Sequence, residues 1–371
     1  MIIGVPKEIK NNEYRIGLTP AAAADYVGHG HTVLIEAGAG LGSSFSDEEY
    51  LAVGCKMVAT PADVFAQADM VVKVKEPQPQ EIDMLREGQI LYTYLHLAPD
   101  LPQTKGLVKS KAVCIAYETV ELPDGSLPLL APMSEVAGRM ATQVGAYFLE
   151  KPHGGRGVLL GGVPGVAPAN VIVLGAGVVG TNATYIARGM GANVTIMDVN
   201  LNRLRYLSDI WGNSVHTVHS SRGNILDILP QADLVVGGVY LPGAKAPWLV
   251  TKDMLSIMKP GAVVVDVSID QGGCVETSHA TTHADPTFYV DDILHYGVAN
   301  MPGAVPNTST RALNNATLRY GLAIADKGWK QALRDDAALS LGANVIDGKV
   351  VYKCVADEHD MPYVPLAEVL N

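Results

Sequence analysis

Three polar side chains near the N-terminus follow segments that have the composition of buried β-strands. Arg15 comes after IIGV, Lys75 ends MVVKVK, and His96 follows ILYTYL. Because open α/β sheets bind ligands outside the carboxyl ends of their strands, we expect these side chains to converge at one sheet edge. A guanidinium and an ammonium hold an anion there, and an imidazole transfers protons near neutral pH. The pattern indicates an anion-binding acid–base site.

A second group of residues has the spacing of a dinucleotide-binding turn. The segment VIVLGAGVVG at 171–180 places Gly175, Gly177 and Gly180 directly after an apolar strand and before a helical segment at 181–189. The first glycine permits a tight turn, the second lets a pyrophosphate approach the backbone, and the third lets the helix pack closely on the strand. Free N–H groups at the helix N-terminus then face the phosphates.

The next strand, NVTIMD at 193–198, ends at Asp198. A carboxylate at this position accepts hydrogen bonds from the ribose hydroxyls of adenosine and repels a 2′-phosphate. NAD is therefore favoured over NADP, although Arg203 and Arg205 just downstream keep NADP open as an alternative.

Other strand ends of the same region supply candidate contacts to the cofactor. Asp270, which follows AVVVDVSI, is also a candidate for the catalytic chemistry. The cofactor candidates are Ser220, Val239, Tyr240, Val267, Ser268, Ile269, Asp270, Val298, Ala299, Asn300 and Met301.

The elements that must position these residues alternate between strands and helices, which is typical of a parallel α/β sheet. Strands are predicted at 32–37, 70–75, 90–95 and 112–118 after the N-terminal IIGV, and then at 171–175, 193–198, 215–219, 233–238, 262–268 and 288–290. A helix at 134–151 connects the two series. After residue 307 a long helix to about residue 327 precedes a hairpin at Asp347-Gly348, and this tail is too short for its own core.

The predicted fold class is α/β, with two doubly wound parallel-sheet domains separated by a cleft, the second a Rossmann dinucleotide-binding domain. Residues 1–128 and 308–371 form a discontinuous substrate domain in this prediction, and residues 129–307 form the cofactor domain. A chain of 371 residues exceeds the size at which single cores stop growing, which agrees with two domains.

Composition excludes several classes of function. The net charge of −11 argues against nucleic acid and against an anionic membrane surface, since both require basic patches. The four cysteines have no metal-binding spacing, and His279 and His283 lack a third ligand, so we predict no metal site. The segment MIIGVPKEIK does not have the pattern of a secretory signal, and the cytoplasm is the expected compartment.

Two long motifs carry a family resemblance. The segment GVPKEIKNNEYRIGLTP at 4–20 and the segment PGVAPANVIVLGAGVVGTNA at 164–183 resemble the motifs shared by alanine dehydrogenases and the NAD-binding part of proton-translocating transhydrogenases. The similarity extends over essentially the whole chain. It implies reversible, NAD-dependent oxidative deamination of L-alanine to pyruvate and ammonium in an enzyme that assembles as a homohexamer.

The resemblance also implies roles for individual residues. His96 is the general acid/base with Asp270 as its partner, Arg15 and Lys75 hold the carboxylate and carbonyl of the substrate, and Met133 lines the substrate pocket. Arg203 stands where the family often has lysine, which preserves the charge and changes the geometry. The residues implied to contact NAD are Ser134, Val178, Val179, Asp198, Arg203, Ser220, Val239, Asn300 and Met301.

Two other functions remain open. One is an NAD(H)-binding component of a transhydrogenase, which would pass hydride to a second nucleotide and act with a partner. The other is a non-catalytic NAD-sensing module, which would tolerate loss of the acid/base. The joint presence of Lys75, His96 and Asp270 favours amino-acid chemistry.

Overall fold

The computed structural model describes residues 1–239 and 246–370. The chain forms two compact units. The first, unit 1, comprises Met1–Met133 and Gly303–Asn371, and the second, unit 2, comprises Ser134–Pro302.

The elements of the described residues follow one another in this order. In residues 2–116 they are β1 (Ile2–Val5), α1 (Pro20–Gly28), β2 (Thr32–Glu36), α2 (Asp47–Ala52), β3 (Lys56–Val58), α3 (Pro61–Gln67), β4 (Met70–Val72), α4 (Pro79–Ile82), β5 (Ile90–Thr93), α5 (Leu101–Ser110) and β6 (Val113–Ala116). The next are α6 (Ala131–Phe148), β7 (Asn170–Leu174), α7 (Val178–Gly189), β8 (Asn193–Asp198), α8 (Leu201–Trp211), β9 (His216–His219), α9 (Arg222–Ile228), β10 (Leu234–Gly237), α10 (Lys252–Leu255), β11 (Val263–Asp266), β12 (Thr287–Val290) and β13 (Ile293–Tyr296). The last are α11 (Pro306–Lys327), α12 (Trp329–Asp335), α13 (Ala337–Ser340), β14 (Ala343–Ile346), β15 (Lys349–Val350), α14 (Lys353–Glu358) and α15 (Leu366–Leu370).

The sheet of unit 1 has the order β15-β14-β6-β5-β4-β1-β2-β3 within the described residues. Strands β1 to β6 are parallel. In the hairpin, β14 pairs antiparallel with β6, and β15 pairs antiparallel with β14 at the edge of the sheet. The strand order reverses between β1 and β4, because β2 and β3 extend to one side of β1 and β4, β5 and β6 to the other. Such a switch point opens a crevice at the carboxyl ends of the two strands.

The sheet of unit 2 has the order β12-β13-β11-β10-β7-β8-β9. Read from β9, the parallel strands follow the Rossmann order, with the switch point between β7 and β10. The prediction of parallel-dominated α/β sheets is confirmed. One detail is wrong: the sixth Rossmann strand is β13, and the predicted strand at 288–290 belongs to β12, which pairs antiparallel with β13.

Local sequence sets the starts of the crossover helices. Thr19 caps α1 by accepting a hydrogen bond from the Ala22 N–H, and Pro20 occupies the first helical position, where no N–H is needed. Ser46 and Glu49 form a capping box at α2. These caps fix where each helix begins after its strand.

Each unit has its own apolar core. In unit 1 the side chains of Val71, Leu91 and Cys114, from three neighbouring strands, are fully buried together. In unit 2 a comparable core contains Leu174, Val235 and Val264. Within residues 1–239 and 246–370 no helix is long and apolar enough to cross a membrane.

Candidate active site

Two of the predicted substrate-binding residues follow the two strands at the switch point of unit 1. Arg15 lies in the segment after β1, and Lys75 lies just beyond β4. His96 follows β5, the next strand in the sheet. The sheet order therefore places the ends of these three strands side by side at one edge of the sheet, which is where the sequence analysis expects the three side chains.

Arg15 is buried and held by Glu13. The guanidinium donates from Nε to Glu13 Oε1 at 2.7 Å and from Nη2 to Glu13 Oε2 at 2.5 Å. Its Nη1 lies 3.0 Å from Sδ of Met133, the residue predicted to line the substrate pocket. Burial opposes the charge, but hydrogen bonds and attraction from Glu13 outweigh it and raise the pKa of Arg15. The cation is therefore permanent and its fork is oriented.

The backbone that carries Lys75 is tied to a buried ionic cluster, which we call the Lys73 cluster: Lys73, Glu8 and Glu81. The Lys73 ammonium donates to Glu8 Oε2 at 3.0 Å and to Glu81 Oε1 at 2.8 Å, and all three side chains are at most 2% exposed. The other oxygen of Glu8 accepts from the Val74 N–H at 2.7 Å and from the Lys75 N–H at 3.4 Å.

Charges in the Lys73 cluster are strongly perturbed. Burial raises the pKa of Glu8, and attraction to Lys73 opposes that shift. Burial acts against the ammonium as well, but the two carboxylates outweigh it and raise the pKa of Lys73. Burial of these three charges has a high desolvation cost. Glu8 in turn fixes the backbone immediately before Lys75.

His96 is exposed, with 41% of its side chain accessible. Its ring stacks on Tyr94 with 5.7 Å between centroids and 5° between planes. The Lys75 ammonium lies 3.8 Å from Glu76 Oε2. Burial opposes ionisation of Glu76, but Lys75, Lys10 and His96 outweigh it and lower the pKa of Glu76. Lys75 and His96, the predicted anion-holding and acid–base groups, thus both lie within electrostatic range of Glu76.

In unit 2 the predicted glycine turn joins β7 to α7. Gly175 has φ of +96°, and a Cβ there would lie 2.7 Å from the Gly238 carbonyl oxygen. A Cβ at Gly180 would lie 1.8 Å from the Gly175 carbonyl oxygen. At Gly177, by contrast, a Cβ would meet no atom of residues 1–239 and 246–370 within 4 Å, so among these residues it would project into open space beside the N-terminus of α7.

These three glycines fit a dinucleotide. Two of them are required by contacts inside the protein, and Gly177 keeps open the space that a pyrophosphate needs next to the first N–H groups of α7. The exposed Val178 begins this helix, and Val179 is the next residue in it.

Asp198 and Arg203 both hold the turn. Asp198 accepts from the Ala176 N–H at 2.6 Å and from the Asn200 N–H at 2.7 Å. Arg203 donates from Nε to the Ala176 carbonyl at 2.8 Å and from Nη2 to Thr181 Oγ1 at 2.8 Å. The guanidinium therefore stabilises the turn through two hydrogen bonds from different nitrogens. A lysine, which has a single nitrogen, could replace this pair of contacts only in part.

Most of the remaining predicted residues that the structure describes follow other strands of unit 2. The Val239 N–H, just after β10, donates to Ser268 Oγ at 2.9 Å. Asp270 is exposed in the short 3-10 helix Val267–Gln271, which also holds Ile269. Ser220 follows β9 and lines a small cavity with Arg222 and Trp248. The partly buried Ser134 lies in α6, and the buried Val298 and Met301 flank Ala299 and Asn300, which has φ of +59°. Tyr240 lies outside the described residues.

Sequence reasoning missed the carboxylates that support these residues. Glu8, Glu13 and Glu118 are bonded to the backbone or side chains of Lys75, Arg15 and His96. One signal was available: Lys73 stands within an apolar strand segment, and a lysine there needs buried anionic partners. For the other pairs no sequence spacing would have revealed the partner.

No group of three metal-ligating side chains occurs in residues 1–239 and 246–370. His279 instead stacks on the Phe288 ring, with 3.6 Å between centroids.

The fold and the site together define a class: an α/β protein with a Rossmann dinucleotide-binding unit and a unit that presents buried and partly buried cations beside a histidine. Comparison with known proteins narrows this class. The alanine dehydrogenase/PNT N-terminal domain family matches residues 4–137, and the corresponding C-terminal domain family matches residues 141–353. The chain belongs to the alanine dehydrogenase/PNT family.

Individual relatives are similar over full length. The chain is 57% identical to an alanine dehydrogenase of Methanococcus maripaludis, with all of both chains covered. A solved L-alanine dehydrogenase superposes with a TM-score of 0.94 at 50% identity, covering 97% of this chain and 99% of that one. A transhydrogenase structure from Sinorhizobium meliloti has a TM-score of 0.82 at 25% identity, covering 95% of this chain and 100% of that one.

Proposed function

We propose that this protein catalyses the NAD-dependent oxidative deamination of L-alanine to pyruvate and ammonium, and the reverse reductive amination. The observation that carries the proposal is the grouping of Arg15, Lys75 and His96 at the switch point of unit 1, in a chain that shares 57% of its residues with an alanine dehydrogenase. The transhydrogenase relative is less similar, at 25% identity.

Arg15 and Lys75 orient the substrate. The guanidinium, already oriented by Glu13, forms an ion pair with the substrate carboxylate, and the Lys75 ammonium holds the carbonyl oxygen of pyruvate. Fixing a small substrate at two points places its Cα in one orientation. For well-oriented reactants, orientation lowers the activation barrier by up to about 7–11 kcal/mol.

His96 moves protons. Deamination requires a base that activates water for attack on the imine carbon and returns the proton to the departing amine, and an imidazole has a suitable pKa. We assign this transfer to Nε2, since Nδ1 lies on the side of Glu118. Asp270 is assigned as the second catalytic residue and Met133 as part of the substrate pocket.

Unit 2 holds the cofactor in this proposal. The N-terminus of α7 would bind the pyrophosphate, Asp198 the adenosine ribose, and the backbone around Ser220, Val239, Ser268 and Asn300 the rest of the dinucleotide. NAD, when bound, supplies the hydride acceptor for the substrate Cα. The proposed assembly is the homohexamer that the family resemblance implies, and sedimentation velocity of the purified protein tests it.

The deciding experiment is a comparison of His96→Ala with His216→Ala, a substitution of an exposed histidine at the start of β9. We expect the wild-type protein and His216→Ala to form NADH from NAD with L-alanine. We expect His96→Ala to lose this turnover while it still binds NADH, as measured by fluorescence titration. Full turnover in His96→Ala would refute the assignment.

A panel of L-amino acids tests the alternatives. A transhydrogenase component would instead transfer hydride between nucleotides without any amino acid, and a sensing module would bind NADH and turn over nothing. Reduction of NAD with L-alanine contradicts both.

A further inference from the structure

Glu118 lies beside the turn that carries His96. It follows β6, the strand next to β5, and its carboxylate reaches across to the segment just after β5. Oε1 accepts a hydrogen bond from the His96 N–H at 2.6 Å. The Leu95 N–H is 3.1 Å from Oε1 and 3.2 Å from Oε2. Two successive peptide N–H groups therefore converge on one carboxylate.

The backbone of His96 has the conformation that makes this convergence possible. Its φ is +49°, in the left-handed region that is unfavourable for a residue with a Cβ. Successive N–H groups next to a left-handed residue form a concave anion-binding nest. The Glu118 carboxylate occupies that nest, so its charge-assisted hydrogen bonds offset the unfavourable backbone conformation of His96.

Other contacts hold the same segment in place. The Gln103 side-chain amide donates to the Leu95 carbonyl at 2.7 Å. Tyr94, whose ring stacks on that of His96, donates its hydroxyl to the Leu129 carbonyl at 2.5 Å. Because the ring plane and the backbone are both fixed, the imidazole has a defined direction. Its Nδ1 lies 3.9 Å from Glu118 Oε1.

We propose that Glu118 is a positioning residue for the acid–base step: its carboxylate fills the nest formed by the Leu95 and His96 N–H groups and so holds His96 in the left-handed conformation that directs its imidazole to the substrate. This inference rests on the proposed function, in which His96 transfers the proton. The same carboxylate is an anion close to the imidazole ring, and it stabilises the protonated ring.

The test uses Glu118→Gln, which keeps the size of the side chain and one carbonyl acceptor but removes the charge. We expect kcat for L-alanine deamination to fall about tenfold, as for the loss of one charge-assisted hydrogen bond. KM for L-alanine and the NADH dissociation constant should stay within about twofold of wild type, since Arg15, Lys75 and unit 2 are unchanged. Glu118→Ala should lose more than Glu118→Gln, and Glu118→Asp should recover part of the loss.

The pH profile separates positioning from a general structural role. Deamination needs the unprotonated imidazole, so kcat rises with pH through the pKa of His96. Loss of the Glu118 anion lowers that pKa, and the midpoint of the rise moves to lower pH in Glu118→Gln. Glu76 interacts electrostatically with His96 and Tyr94 stacks on it, and both are unchanged in every variant.

The matched control is Glu49→Gln, because Glu49 also accepts a backbone hydrogen bond, from the Ser46 N–H in the capping box of α2. It should keep the wild-type kcat and the wild-type midpoint of the pH profile.

The proposal is overturned if Glu118→Gln has the kcat and the pH-profile midpoint of wild type. It is also overturned if kcat falls while the midpoint of the pH profile does not move. If Glu118→Ala does not fold, the kinetics of Glu118→Gln and Glu118→Asp test the positioning role. Failure of the proposed function is distinguishable, since wild type itself would then not oxidise L-alanine.

Discussion

Glu13 and Arg15 form a two-point ion pair in which the side chains are 0% and 2% exposed. The guanidinium uses Nε and Nη2 for this contact and places Nη1 against Met133. A planar guanidinium that is bound at two points keeps one orientation. The carboxylate two residues away in sequence thus determines the orientation in which Arg15 would meet the substrate carboxylate that we propose for it.

Replacement of Glu13 by glutamine should therefore affect both stability and substrate binding. Arg15 would remain buried without its counter-charge, and we expect the free energy of unfolding to fall by about 3 kcal/mol. KM for L-alanine should rise about tenfold, because the guanidinium is no longer held. Urea unfolding and steady-state kinetics measure the two effects. Asp357→Asn, which removes an exposed i,i+4 pair with Lys353, is the control and should change neither.

Replacement of Lys73 by methionine should produce a pH-dependent loss of stability. Glu8 and Glu81 would stay buried without a cation, at a cost of about 3 kcal/mol near neutral pH. The pKa of Glu8 is already raised by burial and would rise further without Lys73. A raised folded pKa means that protonation favours the folded state, so stability is lost as pH rises from the unfolded pKa through the folded one.

The measurement is urea unfolding of wild type and Lys73→Met at about pH 5.5 and about pH 7.5. The difference between the two proteins should be larger at the higher pH. An equal difference at both values would mean that Glu8 does not titrate in this range and would contradict the assignment.

Two glycines of α7 provide a matched pair of substitutions. In Gly180→Ala the new Cβ would lie 1.8 Å from the Gly175 carbonyl oxygen, so the turn must move. We expect a loss of about 2–3 kcal/mol in stability and at least about tenfold weaker NADH binding. In Gly189→Ala the Cβ meets no atom of the described part of the chain within 4 Å. That variant should bind NADH normally and gain up to about 0.5 kcal/mol from helix propensity. Equal NADH affinities would argue against a cofactor at this turn.

Asp198 should determine the choice between NAD and NADP. In Asp198→Asn an oxygen remains to accept the Ala176 N–H, but the charge that repels a 2′-phosphate is gone. We expect the preference for NAD over NADP to fall about tenfold in dissociation constant, or about 1.4 kcal/mol. Asp209→Asn, at an exposed position of α8, changes the net charge equally and should leave the preference unchanged. A wild-type protein that prefers NADP would refute the role given to Asp198.

Most strands of both sheets were predictable because buried parallel strands are continuous apolar segments. The two strands that were missed lack this property. β3 has three residues and begins with the exposed Lys56. β13 contains His295, which is 1% exposed and bonded to Thr277 Oγ1 at 2.8 Å. A histidine in a sequence suggests an exposed position. Its burial becomes favourable only through a hydrogen-bond partner that the folded structure supplies.

For the site, the side chains that follow strands and the position of the glycine turn could be predicted from the sequence, because strand periodicity and glycine spacing depend on neighbours along the chain. The carboxylates that hold those side chains and their backbone become visible only in the folded structure. Glu8 reaches the Val74 N–H across 66 residues, and Glu118 reaches the His96 N–H across 22. Such contacts arise only when the sheet brings distant segments together, and the left-handed conformation of His96 depends on one of them.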